Sequence, residues 1–226
     1  SADVDFRVES NGQANMLLVD GGNDTVSFQP NSASLTIKAG SADATNNIRL
    51  EAGGTTSTYL EYRGYLGHRF YVDTTEQMKI DATGAVTMPN QPAFLAIPSS
   101  IQNNIAVGSN VTVVFDTEIF DQNADFASNT FTAPVTGRYQ LQTSLRVQTL
   151  DAAANYYFII IKTSNRQYIN ILDPDFGQDN SYFTFTQAVL ADMDANDTAY
   201  IAIYQPSGDV QTDVNNDSSF SGYLVA

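Results

Sequence analysis

Residues 137–148, GRYQLQTSLRVQ, alternate without a break. Tyr139, Leu141, Thr143, Leu145 and Val147 fall on one face; Arg138, Gln140, Gln142, Ser144, Arg146 and Gln148 fall on the other. A period of two over that length is a strand with one face buried. A slip of one residue would bury two arginines, so the pairing register is tightly specified. Pro134 and Gly137 punctuate the approach. Proline fixes φ and lacks a donor, which suits a strand end. Glycine here is expected to supply the positive φ of a tight reversal.

The rest of the chain agrees with that strand. Charged residues make up only 15% of 226. Thr, Ser, Asn, Gln and Tyr fill the gap, and no helical stripe stands out; the best candidate, TTEQMKID, is short and flanked by the strand-like RFYV and GAVTM. The class is all-β. Cysteine is absent, so neither a disulfide framework nor thiol chemistry is available. No apolar run approaches the roughly 20 residues of a membrane-spanning helix. The chain opens SADVDF, without a methionine or a basic, apolar signal segment, and reads as a fragment of something longer. The net charge is −15. That disfavours nucleic acid, which is held by Lys and Arg, and anionic membrane surfaces. It favours solubility, and it leaves open the binding of a cation by some of the acids.

Two halves differ in character. Residues 1–90 read as short strands broken by Gly and Asn turns. Asn11-Gly12 between two alternating runs is a hairpin signal. ASLTIKAG, NNIRLEAGG, TYLEYRG, HRFYVD and MKIDATGAVTM follow. Each strand has two or three apolar residues, too few to stand alone in water. Three copies wound around one axis would supply the missing core, which makes this half a β-stranded, intertwined shaft; a small β-sandwich is the alternative. Pro89, Pro92 and Pro98 mark a junction near Asn90. Residues 91–226 carry longer, more apolar strands, expected at 94–97, 111–115, 137–148, 156–161, 168–172, 182–190, 199–204 and 220–225. Turn-rich loops separate them, as in a sandwich or jelly roll.

FTAPVTGRYQLQ resembles the signature of the complement component-1q globular head, a jelly roll related to tumour necrosis factor. Phe131, Ala133, Pro134, Gly137 and Tyr139 match its aromatic, small residue, proline, glycine and tyrosine in register. VVFDTEIFDQNADFASNT resembles the family's approach to that motif. VLADMDANDTAYIAIYQ is similar to its acidic turn and following strand, although Asn196-Asp197 stands where Gly-Asp is frequent. SSFSGYLVA is similar to its last strand, through Phe220, Ser221, Gly222, Tyr223 and Leu224. The resemblance implies a jelly-roll head over 91–226. RFYVDTTEQMKIDATGAVTMP resembles the shaft-to-tip passage of bacteriophage and other virion fibres, whose tips are often trimeric jelly rolls. Collagen-like repeats, frequent before complement heads, are absent.

Sites are less sharply drawn. His68 is the single histidine, without a second His or any Cys to form a metal pair, and it reads as structural or surface. No nucleophile-elbow pattern is present. Asp173, Asp175 and Asp179, Asp192, Asp194 and Asp197, and Asp213 and Asp217 fall in three acidic loops. Asp192, Asp194 and Asn196 mimic the start of a calcium loop, but Asp197 stands where its glycine belongs and Ile203 where its bidentate Glu belongs. Solvated turns are the plain reading of these loops. Asp192, Asp194 and Asp197 are the candidate Ca²⁺ ligands, and some heads of the resembling family bind Ca²⁺ near the trimer apex. The aromatics between 156 and 185 read mostly as core or subunit interface. NYYFIII is apolar on both faces, as expected of a strand packed inside a sandwich and against a neighbouring subunit. Tyr168 and Phe176, with Asp175 and Gln178, are the candidates for receptor contact by stacking on a sugar ring.

The expectation is therefore a homotrimeric virion fibre fragment, extracellular and without catalytic chemistry. Its head would bind a host-surface glycan or protein. A purely structural neck or decoration fibre, a polysaccharide depolymerase and a cellular complement-like lectin are the competing readings.

Overall fold

The computed structural model describes the backbone of residues 6–10, 13–20 and 25–28 and the whole of residues 66–226. Two compact units divide between Arg63 and Gly64. In the first, β1 (Phe6–Ser10), β2 (Gln13–Asp20) and β3 (Thr25–Phe28) form an antiparallel meander. Ser10 pairs with Gln13, so Asn11 and Gly12 are all that separates β1 from β2. The strands expected in ASLTIKAG, NNIRLEAGG and TYLEYRG, and the winding of a shaft, lie outside the described residues.

The second unit opens with another meander, β4 (Gly67–Val72), β5 (Thr75–Asp81) and β6 (Val86–Thr87). TTEQMKID is β5. Asp81 organises the next turn: its Oδ1 accepts from Thr83 N at 2.8 Å, Thr83 Oγ1 at 2.7 Å and Ala85 N at 3.0 Å. The proline-bearing junction is then tied on both sides. Asn90 Nδ2 donates to Glu76 O, Gln122 Nε2 donates to Met88 O and Gln91 O, and Gln91 Nε2 donates to Leu224 O.

A two-sheet sandwich follows. One sheet runs β15 (Asn180–Met193), β12 (Gly137–Leu150), β18 (Ser219–Leu224), β7 (Ala93–Ile97), β9 (Thr117–Asp121), with β17 (Asp213–Val214) also on β12. The other runs β10 (Phe126–Ala127), β11 (Thr130–Thr132), β16 (Thr198–Tyr204), β13 (Tyr157–Thr163), β14 (Gln167–Leu172), with β8 (Asn110–Thr112) also on β16. The chain crosses repeatedly between the sheets, which is jelly-roll connectivity. The described residues are all-β, as the sequence predicts. Among the described residues no helix is long and apolar enough to cross a membrane.

Strand β12 realises the alternation. Tyr139, Leu141, Thr143, Leu145 and Val147 are fully buried. Thr143 is tolerated there because its Oγ1 donates to Ser219 O at 2.9 Å. On the other face Arg146 reaches Asp217 at 2.5 Å and covers the Tyr182 ring at 4.6 Å. The core is aromatic at one end. Phe94 stacks on Phe126 and Phe131, both at 4.8 Å, and meets Phe220 edge-on at 5.0 Å. Fully burying each such ring contributes about 1.5–3 kcal/mol.

Several elements depart from expectation. Strand pairing at 111–115 ends at Thr112, yet Val113 and Phe115 remain core residues. DQNADFASN, read as a loop, contains β10. Strand β9 has no alternation to reveal it, because the ladder with β7 shifts register between Leu95 and Ala96. Gly137 does not take a positive φ. Its role is room: a Cβ there would stand 2.7 Å from both Ala226 O and Leu224 Cδ1.

Candidate binding surfaces

The signature residues build scaffold. Phe131, Ala133 and Tyr139 are fully buried. Tyr139 Oη donates to Val135 O at 2.7 Å, closing the turn that holds the exposed Pro134. Burial pushes the Tyr139 phenol up, so it stays a donor. Gly222 repeats the logic of Gly137: a Cβ would meet Leu141 Cδ2 and Phe94 Cε1, both at 2.8 Å. Phe220 is core, and Leu224 is partly buried against it.

The acidic turn 192–197 docks onto the signature turn. Asn196 N donates to Ala133 O at 2.7 Å, Ala133 N to Asp197 O at 2.8 Å, and Ala195 N to Thr136 Oγ1 at 3.1 Å. Asn196 stands at φ 73°, a conformation that Asn accepts almost as Gly does. Two of its three acids are engaged. Asp197 Oδ2 accepts from Asp194 N and Asn165 Nδ2, both at 2.8 Å. Asp192 pairs with Arg166 at 2.6 Å. Its own amide, then that guanidinium, holds its carboxyl below the usual range. Among the described residues no group of three or more His, Cys, Asp or Glu side chains is arranged to hold a metal ion.

The other acidic loops are also built into the frame. Asp179 accepts from Ala152 N and Gln211 Nε2, and Asp213 accepts from Asn104 N and Gln148 Nε2. Asp125 is different. Its Oδ2 is buried without a partner, and burial, helped by the nearby Asp121, raises its pKa. His68 lies on β4, opposite Ile80 of β5.

Asp175, Phe176 and Gln178 stand exposed in the β14–β15 loop, where Phe176 lies 6.1 Å from Phe183. Tyr168 is separated from them. It belongs to the inward-facing set of β14 with Leu172, packed against the core. The outward set is Ile169 and Ile171, 49% and 62% exposed on the edge strand.

Apolar surface gathers in three places. On the β15–β12–β18–β7–β9 sheet, Leu190 and Tyr223 flank Gln140 in one cross-strand row, and Leu95 pairs with Phe120 in the next. Leu190, Tyr223 and Phe120 are each about half exposed, as is Ile119 beside them. On the meander, Phe70, Tyr71, Val72, Val86 and Met88 are exposed. On the second sheet, β13 sends Tyr157, Ile159 and Ile161 into the core and Phe158 and Ile160 to the other face, where Phe158 is half-buried and Ile160 is buried, 2% exposed. Tyr156, Phe158 and Tyr204 form a ring cluster there, with centroids 4.6 Å apart for Tyr156–Phe158 and 5.9 Å for Phe158–Tyr204. A hollow of about 360 Å³ lies beside the cluster.

Residues 93–225 match the C1q domain family. The chain belongs to that family. The jelly roll and the positions of Phe131, Gly137, Tyr139 and Phe220 accord with the C1q-type resemblance. Among solved structures, the globular domain of zebrafish complement 1qA is similar at 16% identity and a TM-score of 0.44, over 61% of this chain and 98% of that one. Murine APRIL is similar at 11% identity and a TM-score of 0.44, over 61% and 100%. No curated protein sequence matches the chain. The C1q-domain head thus carries one exposed apolar sheet face and one half-buried ring cluster, the meander before it carries a further exposed apolar set, and no three acids of the head gather.

Proposed function

We propose that the chain is a trimeric fibre fragment of a virion, in which residues 1–90 form a β-stranded shaft and the C1q-type head attaches to a host-surface glycan or protein. The observation that carries this reading is the exposed apolar surface on one face of the β15–β12–β18–β7–β9 sheet and on the meander leading into it. Leu190, Tyr223, Phe120 and Ile119, then Phe70, Tyr71 and Val72, are about half exposed or more in a single copy. Apolar surface of that extent marks an association site, and self-association of the C1q/TNF-like kind would cover it. Three linked heads multiply weak contacts, with avidity gains of about 10²–10⁴. No chemistry is needed for attachment. Asp175, Phe176 and Gln178 are the loop residues offered to the receptor; Tyr168 would act by holding its edge strand.

Fluorescently labelled full chain, tested on panels of bacterial and animal cells, is expected to bind one class of host saturably. An intact trimer that binds no cell would leave a structural decoration fibre. Release of reducing sugar from surface polysaccharide would identify a depolymerase instead. Family membership equally supports a cellular C1q-like binding head, and binding confined to animal cells would favour it.

A further inference from the structure

The outward face of β13, β14 and β16 buries Ile160 and Ala202 within the single chain but leaves Ile169, Ile171 and the half-buried rings of Phe158 and Tyr204 around them without a packing partner outside the face. Cross-strand pairing sets Ile171, Phe158, Tyr204 and Asn110 in one row and Ile169, Ile160 and Ala202 in the next. Phe158 and Tyr204 hold each other at 5.9 Å with their planes 30° apart, and Tyr156 stacks on Phe158 at 4.6 Å. The rings are thus held in place before any guest arrives, which lowers the ordering cost of binding. The adjoining hollow, about 360 Å³, is lined by Phe158, Ile160 and Tyr204 together with the exposed Ser109, Asn110 and Gln167. That volume falls in the range of small-molecule sites, about 300–1,000 Å³.

The lining contains no charged side chain, although the chain has 25 acids and 10 bases. Lys162 pairs across from the lining residue Gln167, but its ammonium lies over the Tyr200 ring at 5.6 Å. An anionic guest would find no counter-charge here and would face a protein of net charge −15. A purely apolar guest would waste the amides and the hydroxyl. A pyranose ring satisfies both requirements. Its C–H face lies against an aromatic ring while its hydroxyls exchange hydrogen bonds with neutral amides. The concavity also selects a small guest over the flat sheet of a second copy.

We propose that this hollow is a binding site for a neutral hexose unit of a surface glycan, with Phe158 and Tyr204 as the stacking surface and Asn110 and Gln167 as the hydroxyl readers. The proposal deepens the attachment reading and rests on it. It places glycan recognition on the flank of the sandwich, apart from the β14–β15 loop.

The test is saturation-transfer NMR on the full chain, with the methyl glycosides of glucose, galactose, mannose and N-acetylglucosamine. Each is used at about 10 mM, because a single ring is expected to bind in the millimolar range. Transfer to the ring protons of at least one glycoside is expected, and none to the methyl glycoside of N-acetylneuraminic acid. A Phe158→Ala/Tyr204→Ala variant should lose at least five-fold of the signal with native mass unchanged. Asn110→Ala/Gln167→Ala alters only exposed side chains and decides the matter if the first variant fails to fold; it should lose a similar share. Absence of transfer from all four glycosides, or transfer unchanged in the variants, overturns the proposal. So does a fall of the first variant's mass to a single chain, which would make this face a subunit contact. Cell attachment that survives both variants sinks the hexose site and leaves the attachment reading standing.

Discussion

At the scale of single residues, Gly137 shows how a turn signal can conceal a packing constraint. The sequence offers proline and glycine three residues apart, and local chemistry reads them as a reversal. The structure gives Gly137 an ordinary φ and sets the C-terminal residues against it. That neighbour, Ala226, is remote in sequence, so no local pattern exposes it. Gly137→Ala is expected to cost about 1–3 kcal/mol by overpacking. Thermal unfolding should read this as a fall in Tm of roughly 2–4 °C per kcal/mol. An unchanged Tm would mean that the C-terminal strand yields freely. Asp125 makes a second test. Its folded pKa is raised, by burial first and by Asp121 second. The charged form is therefore disfavoured in the fold, and stability is lost as pH rises from the unfolded carboxyl value to the folded one. Asp125→Asn should raise Tm at pH 7 and give no gain below the unfolded carboxyl range. Asp81 and Asp116 have the opposite sign. Hydrogen bonds from Thr83 and Ser99 respectively lower their pKa values. Their contribution is present above the unfolded carboxyl value and is lost as pH falls through the folded one.

At the scale of strands, alternation was legible wherever one face alone is apolar. Strand β12 is the clear case, with its five inward residues fully buried. Where both faces are apolar, parity names two sets but cannot say what covers the outer one. NYYFIII is such a segment, and its outward Phe158 and Ile160 line the hollow on the sandwich flank. Parity also leaves open which set of β14 faces inward: the structure turns Tyr168 toward the core and exposes Ile169 and Ile171. Strand β9 was illegible because a register shift interrupts its alternation. The acidic turns were legible as turns, but their tie to the signature turn through Ala133, Thr136 and Asn196 depends on the fold. The exposed row containing Leu190 and Tyr223 gives a test proper to this scale. A Leu190→Asp/Tyr223→Asp variant keeps the inward face of both strands intact. It should fold with near-normal β circular dichroism and sediment as smaller species than the parent. An unchanged sedimentation coefficient would remove this face from the subunit contact.

At the scale of the whole molecule, the C1q-type jelly roll supplies a complete core of its own, from Phe94 through Phe220. What remains outside it is the sheet face with Leu190 and Tyr223 and the meander with Phe70, Tyr71 and Val72, which the proposed self-association would cover. The sequence made the jelly roll legible because three ordered motifs span most of its length. The proposed fibre rests on the thinness of the N-terminal strands in the sequence, an argument from insufficiency. Native mass of the full chain in solution, by light scattering or native mass spectrometry, tests that argument most directly. The expected result is three times the 24.6 kDa of one chain, unchanged on dilution to the micromolar range. A particle of 24.6 kDa at every concentration would contradict it.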